Sequence, residues 1–165
     1  MKGVFLGIGG NEGNRLQNLR RACAFIEQKI GKIERQSAIY ETAAWGNTEQ
    51  PSFLNQVLKV HTNLTPQKCM AAVLAIEESM GRKRALKWDK RSIDIDILLF
   101  GQVIVNTKEL LIPHPYLHER NFVLVPLAEI APKQIHPLLH KTMATLLQKS
   151  PDQLEVDVFK FEDTK

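Results

Sequence analysis

The sequence predicts an α+β fold of ferredoxin-like plan, βαββαβ: an antiparallel sheet with helices in a two-layer sandwich, followed by extra C-terminal elements. Three observations carry this. Apolar residues alternate with period two in the first strand. They recur at three and four in two helices. The elements come in the order strand, helix, strand, strand, helix, strand. With 165 residues, of which 44% are hydrophobic, residues 1–165 read as one domain around one core.

Val4, Leu6 and Ile8 alternate ahead of Gly9 and Gly10, so Lys2 to Gly9 reads as the first strand. Leu16, Leu19, Cys23, Ile26 and Ile30 then mark one helix face, with Asn14 as N-cap and Gly31 as the stop. Ile33 to Tyr40 is a weaker strand. Glu41 to Ser52, carrying Gly46, Asn47 and Pro51, reads as a long loop. In the strand Phe53 to Thr62, residues Leu54, Gln56, Leu58 and Val60 share one face, and Phe53, Asn55 and Val57 begin the other. Thr65-Pro66 starts the second helix, whose core face is Cys69, Val73, Ile76 and Met80 and whose end is Gly81. Ile93 to Phe100 is rich enough in Ile and Leu to be a central strand. Val103 to Val105 reads as a short strand and Leu111 to Arg120 as a proline-held loop. Asn121 to Ile130 reads as a short helix with Pro126 as its candidate break. Beyond Pro132 a helix is expected near Met143 to Gln148 and a strand near Leu154 to Phe159.

The net charge is +4, and its distribution is uneven. Arg82, Lys83, Arg84, Lys87, Lys90 and Arg91 face a single acid, Asp89, within one short segment, which leaves the rest of the chain close to neutral. Alone, such a run is as readily a solvated surface. Its concentration suits a compact polyanion better than the broad basic face of a nucleic-acid binder. No apolar run approaches the roughly 18 residues of a membrane span, and the N-terminus lacks the pattern of a signal peptide. These features predict a cytoplasmic protein with no membrane and no nucleic-acid partner, and the lack of a strong apolar interface pattern predicts a monomer. Cys23 and Cys69 fall on apolar helix faces, which favours two reduced thiols over a disulfide.

Asp94 and Asp96, two apart on a strand, share a face, and Ile93, Ile95 and Ile97 take the other. Two carboxylates this close repel unless a cation or proton intervenes. All-oxygen ligands suit Mg²⁺, which completes its shell with phosphate and water. By itself Asp-x-Asp is a weak signal, but beside a cluster of Arg and Lys it has the composition a magnesium–triphosphate complex requires. The standard phosphate-binding glycine loops are absent: Gly7, Gly9 and Gly13 miss the dinucleotide spacing because Glu12 occupies the needed position. Those glycines are expected to permit a tight strand-to-helix connection. His114 and Arg120 in the proline-held loop read by default as a structural hydrogen-bonder and an exposed cation. Phe53 and Phe122 read by default as core. Asn55, on the face of Phe53, is harder to dismiss, because an amide beside a ring can read the edge of a flat heterocycle. Trp88 is unusual for a solvated basic loop.

Gly81-Arg82-Lys83-Arg84 followed by Lys87-Trp88-Asp89-Lys90-Arg91-Ser92-Ile93-Asp94-Ile95-Asp96-Ile97-Leu98-Leu99-Phe100-Gly101 resembles the signature of the hydroxymethyldihydropterin pyrophosphokinases. Gly7 to Asn11, Tyr40-Glu41-Thr42 through Phe53-Leu54-Asn55, and Pro113-His114 through Arg120-Asn121-Phe122 match in the same order, so the likeness runs from Met1 to Pro132. The resemblance implies attack by a pterin 6-hydroxymethyl oxygen on the β-phosphorus of the co-substrate ATP, with AMP leaving, in folate biosynthesis. It implies that Asp94 and Asp96 hold two Mg²⁺ ions and that Arg82 and Arg91 stabilise the transferring group. It further implies that Arg84 and Trp88 close the nucleotide site, and that Glu77, Arg91, Ile97, His114 and Arg120 line the ATP side. Thr42, Ala43, Trp45 and Asn55 would line the pterin pocket, with Phe53 and Phe122 sandwiching the ring. Phe53 is often Tyr and Ala43 often Pro in such proteins. Two rivals share part of the pattern. A ferredoxin-like nucleic-acid module would display aromatics where Asp94 and Asp96 stand, and a Mg²⁺-dependent nucleotidyltransferase would release pyrophosphate, not AMP.

Overall fold

A computed structural model of the chain describes residues 2–43, 50–81 and 92–161. β1 (Lys2–Gly10) leads to α1 (Arg15–Lys29), β2 (Gly31–Gln36), β3 (Tyr40–Thr42), β4 (Phe53–Thr62), α2 (Pro66–Ser79) and β5 (Asp94–Phe100). A two-stranded ribbon of β6 (Val105–Asn106) and β7 (Leu111–Ile112) follows, then α3 (Asn121–Ile130), α4 (Met143–Gln148) and β8 (Asp157–Val158). Among the described residues the main sheet runs β5-β1-β4-β3-β8, with β2 also on β4. This is the antiparallel βαββαβ arrangement, its second strand split into β2 and β3.

The helix starts follow the capping rules. Asn14 accepts the Gln17 N–H at 3.0 Å and Thr65 the Lys68 N–H at 3.2 Å. Gly81 ends α2 at φ +93°. Gly31 acts differently from the expected left-handed stop. It opens β2, where a Cβ would stand 1.9 Å from the His61 carbonyl oxygen, so what it supplies is close backbone approach. α3 continues unbroken through Pro126. The lost N–H removes one bond, and the buried Val123, Leu124, Leu127 and Ile130 hold the helix by packing.

α1 and α2 cover one sheet face through Val4, Leu6, Ile8, Leu58, Ile95 and Ile97. The extra C-terminal elements cover part of the other face: Phe5, Val57, Leu98 and Leu99 pack against Leu124 and Leu127 of α3 and Met143 of α4. A register shift lets Leu98 and Leu99 both join this second cluster, since Leu6 faces Ile97 while Phe5 faces Leu99. β5 is the end strand of the sheet, not a central one. Its apolar content reflects burial on both faces, and its outer edge is closed by other groups. The buried Glu77 accepts the Ile95 N–H at 2.9 Å, and the His114 N–H bonds the Leu98 carbonyl at 3.0 Å. Cys23 and Cys69 are free, and burial pushes both thiols up to about 11. No helix of the described residues is long and apolar enough to cross a membrane.

Two polar clamps fix the sheet end that carries the site. The Glu129 carboxylate of α3 accepts the Ala38 N–H at 3.1 Å and the Tyr40 hydroxyl, spanning the break between β2 and β3. Arg15, the first residue of α1, donates to Glu41 at 2.8 Å and to the Ser52 carbonyl at 2.9 Å, and the Ser52 hydroxyl donates to Glu41 at 2.7 Å. Both ends of the connection between β3 and β4 are thereby tied to α1.

Hydrogen bonds from Arg15, and then from Ser52, hold the Glu41 carboxyl below its ordinary value. The clamp therefore contributes stability above the unfolded carboxylate pKa of about 4.3 and loses it as pH falls through the lower folded value. Comparing Glu41→Gln with the parent by thermal melts across pH should show the parent ahead above about pH 5 and the gap narrowing as pH falls below that.

Candidate active site

Cross-strand register sets out the site in rows. Gly9 of β1 faces Asn55 of β4 on one side and Asp94 of β5 on the other; Gly7 faces Val57 and Asp96 in the same way. Residues opposite one another in an antiparallel sheet share a face, so an amide and two carboxylates flank a strip of β1 that bears no side chain. Above this strip lies a cavity of about 620 Å³, lined by Gly7, Gly9, Asn55, Asp94 and Asp96 among others. It reaches past the strand ends to Met70, Leu74 and Glu77 of α2.

Gly9 is not there for the turn. A Cβ on it would lie 2.2 Å from Asn55 Oδ1 and 2.9 Å from the Leu54 carbonyl oxygen, so its absence is what lets the Asn55 amide lie across the strand. The amide nitrogen points to the Thr42 hydroxyl at 3.4 Å. Gly13, at φ +62°, does serve the strand-to-helix connection.

The expected pterin residues Thr42, Ala43, Phe53, Asn55 and Phe122 all line this cavity. So do Asp94, Asp96, Glu77, His114 and Arg120 from the metal and ATP sets. Ile97 does not: it is buried in the core beneath α1 and α2. Arg82, Arg84, Trp88, Arg91 and Trp45 lie outside the described residues. Among the lining residues that sequence reasoning missed are Leu98, Val123 and Leu154. The first two carry only an apolar signal, and the third lies in the unmatched tail.

The wall opposite Asn55 is electrostatically mixed. The Arg120 guanidinium sits 4.9 Å from the Tyr116 ring centroid and 5.8 Å from that of Phe122, so two aromatic faces orient the cation. The Tyr116 N–H donates to His114 Nδ1 at 3.2 Å, which leaves Nε2 as the protonated nitrogen of the neutral ring. Burial holds His114 below its ordinary value; Asp96 pulls it upward, and Arg120 adds a smaller downward push. Near neutral pH it is therefore an uncharged N–H donor. Among the described residues no group of three or more His, Cys, Asp or Glu is placed to hold a metal ion. The two β5 carboxylates alone do fit Mg²⁺, which uses one or two carboxylates and takes its remaining ligands from phosphate and water.

A family model described as 7,8-dihydro-6-hydroxymethylpterin-pyrophosphokinase matches residues 5–132. The chain is 43% identical over 143 residues to the 2-amino-4-hydroxy-6-hydroxymethyldihydropteridine pyrophosphokinase of Aquifex aeolicus, covering 87% of this chain and 89% of that one. It is 38% identical over 148 residues to the protein of the same name from Synechocystis, covering 89% and 75%. Among solved structures, the wild-type Plasmodium falciparum HPPK-DHPS superposes with a TM-score of 0.72 at 20% identity, a likeness of fold. That match covers 90% of this chain and 43% of the longer one. The chain therefore belongs to the 7,8-dihydro-6-hydroxymethylpterin-pyrophosphokinase family, the diphosphotransferases of folate biosynthesis.

Proposed function

We propose that this cavity transfers the β,γ-pyrophosphoryl group of ATP to the hydroxymethyl oxygen of 6-hydroxymethyl-7,8-dihydropterin. The observation that carries the reading is the row Asn55–Gly9–Asp94, which sets a heterocycle-reading amide and a carboxylate on opposite sides of a bare strand. In the step, the pterin oxygen bonds to the β-phosphorus, the bond from that phosphorus to the bridging oxygen breaks, and AMP leaves with that oxygen. The hydroxyl proton passes to solvent.

The flat pterin fits between the half-buried rings of Phe53 and Phe122, which supply stacking area. Asn55 and Thr42 offer donors and acceptors to its edge, and the bare Gly9 leaves room for that amide to lie across the strand toward the Thr42 hydroxyl. Asp94 and Asp96 would hold two Mg²⁺ ions, which supply charge neutralisation to the triphosphate when bound. Arg120, oriented by its two rings, and the Nε2–H of His114 add a fixed charge and a neutral donor on the same wall. Glu77 keeps β5 in register by holding the Ile95 N–H between the two aspartates. Arg82 and Arg91 would stabilise the transferring group, Arg84 and Trp88 would close the nucleotide side, and Trp45 would complete the pterin side. The reading carries with it a single-domain, monomeric, cytoplasmic enzyme that acts on these two small molecules and on no nucleic acid.

Product analysis tests the reaction. ATP and the pterin alcohol should give AMP and pterin diphosphate in equal amounts; release of pyrophosphate would point to nucleotidyl transfer. Asp94→Asn and Asp96→Asn should each lower turnover by about 100-fold or more while leaving the fold intact by circular dichroism. Near-normal turnover in both would overturn the metal assignment. Asn55→Ala should weaken pterin binding by about 1–3 kcal/mol in calorimetric titration and leave MgATP affinity nearly unchanged.

A further inference from the structure

Residues 150–159 lie beyond the stretch matched by the family model, yet they are fastened to both flanks of the cavity. On one flank Asp152 caps α3. Its Oδ2 accepts the Asn121 N–H at 2.8 Å, and its backbone carbonyl accepts the Asn121 side-chain amide at 3.1 Å. Arg120, the residue at the N-cap of α3, makes no side-chain cap bond, so a donor of the first turn is satisfied from 31 residues away. The next residue of α3 is Phe122. On the other flank β8 pairs with β3, Val158 opposite Tyr40 and Asp157 opposite Glu41, and the Phe159 N–H bonds the Ile39 carbonyl at 2.8 Å. The next residue of β3 is Thr42. The Arg15 guanidinium, 5.7 Å from the Phe159 ring centroid, adds a third fastening.

Between these anchors Leu154 is half-buried and lines the cavity, and its N–H is fixed by Asp152 Oδ1 at 2.9 Å. One carboxylate thus caps the helix that carries Phe122 and aims the chain that carries Leu154. We infer that residues 150–159 are a strap across the pterin side of the cavity, with Leu154 a specificity-determining wall that sets how large a ring substituent fits beside Phe122 and Thr42. The inference rests on the pterin reading above and adds a residue to it. An apolar wall at this edge excludes water from one side of the ring and offers no hydrogen bond, so it discriminates by size alone.

The test is calorimetric titration of the full chain and of Leu154→Ala and Leu154→Phe, with a non-hydrolysable MgATP analogue alone, then with 6-hydroxymethylpterin in its presence. Leu154→Ala should raise the pterin Kd by about 5- to 20-fold, and Leu154→Phe should raise it at least as much. Affinity for the analogue alone should change by less than about twofold and melting temperatures by no more than about 2 °C, because a half-buried tail residue contributes little to the core. Leu154→Ala should also gain, relative to the parent, for a pterin bearing a bulkier alkyl group. Pterin affinity within about twofold of the parent in both variants would overturn the strap while leaving the function intact. So would equal losses of pterin and analogue affinity. A parent chain that binds neither ligand would overturn the function itself.

Discussion

Everything at the candidate site depends on one steric constraint: β1, an interior strand, carries no side chain at Gly7 and Gly9 on the face that β4 and β5 share with it. Gly in a strand interior costs roughly 0.5–1 kcal/mol per position relative to Ala. Two such positions in the middle of a sheet therefore need support from the neighbours. Here the same face is filled two residues earlier by Phe5, which packs under α3 with Val57 and Leu99. The cavity begins where that packing stops. Its depth is set by the absence of two side chains, and the reach of Asn55 is set by the absence of one of them.

The surrounding structure reads as bracing for that trough. Glu77 fixes the β5 backbone between the two aspartates, and the His114 N–H closes the same strand edge one turn of the loop away. Glu129 joins α3 to the break before β3, so Phe122 and Thr42 sit on elements that are locked to each other. Arg15 gathers both ends of the connection between β3 and β4. The bonds from Glu77, Glu129 and Arg15 are charge-assisted and join separate elements, which ties down strand and helix ends that packing alone would leave free to shift.

Much of this was legible in the sequence. Alternation in β1 and helical spacing in α1 and α2, with capping residues Asn14 and Thr65, sufficed for the βαββαβ plan, because both signals are local. Asp94 and Asp96 were legible as a pair because strand geometry alone puts them on one face. The position of β5 at the sheet end was not, because an apolar run records burial and not strand order; α3 and a loop edge bury it where a neighbouring strand would have done so in a central position. The role of Gly9 was hidden for a related reason. It lies in a contact between residues 46 positions apart, and in the chain alone a glycine near a strand end looks like turn chemistry. Ile97 entered the ATP set by resemblance alone; its alternation with Asp94 and Asp96 puts its side chain on the buried face, as found. Leu154 read only as the start of a C-terminal strand, which forms at Asp157–Val158 instead, and nothing local marked it as a cavity residue, since its place follows from Asp152 finding the start of α3.

The most direct test of the central claim is a crystal structure of the ternary complex with a non-hydrolysable ATP analogue, Mg²⁺ and 6-hydroxymethylpterin. The account predicts the pterin lying over Gly7 and Gly9 between Phe53 and Phe122, its edge bonded to Asn55, and metal density bridging Asp94 and Asp96 to the phosphates. A pterin bound away from the glycine strip, or metal touching neither aspartate, would contradict it.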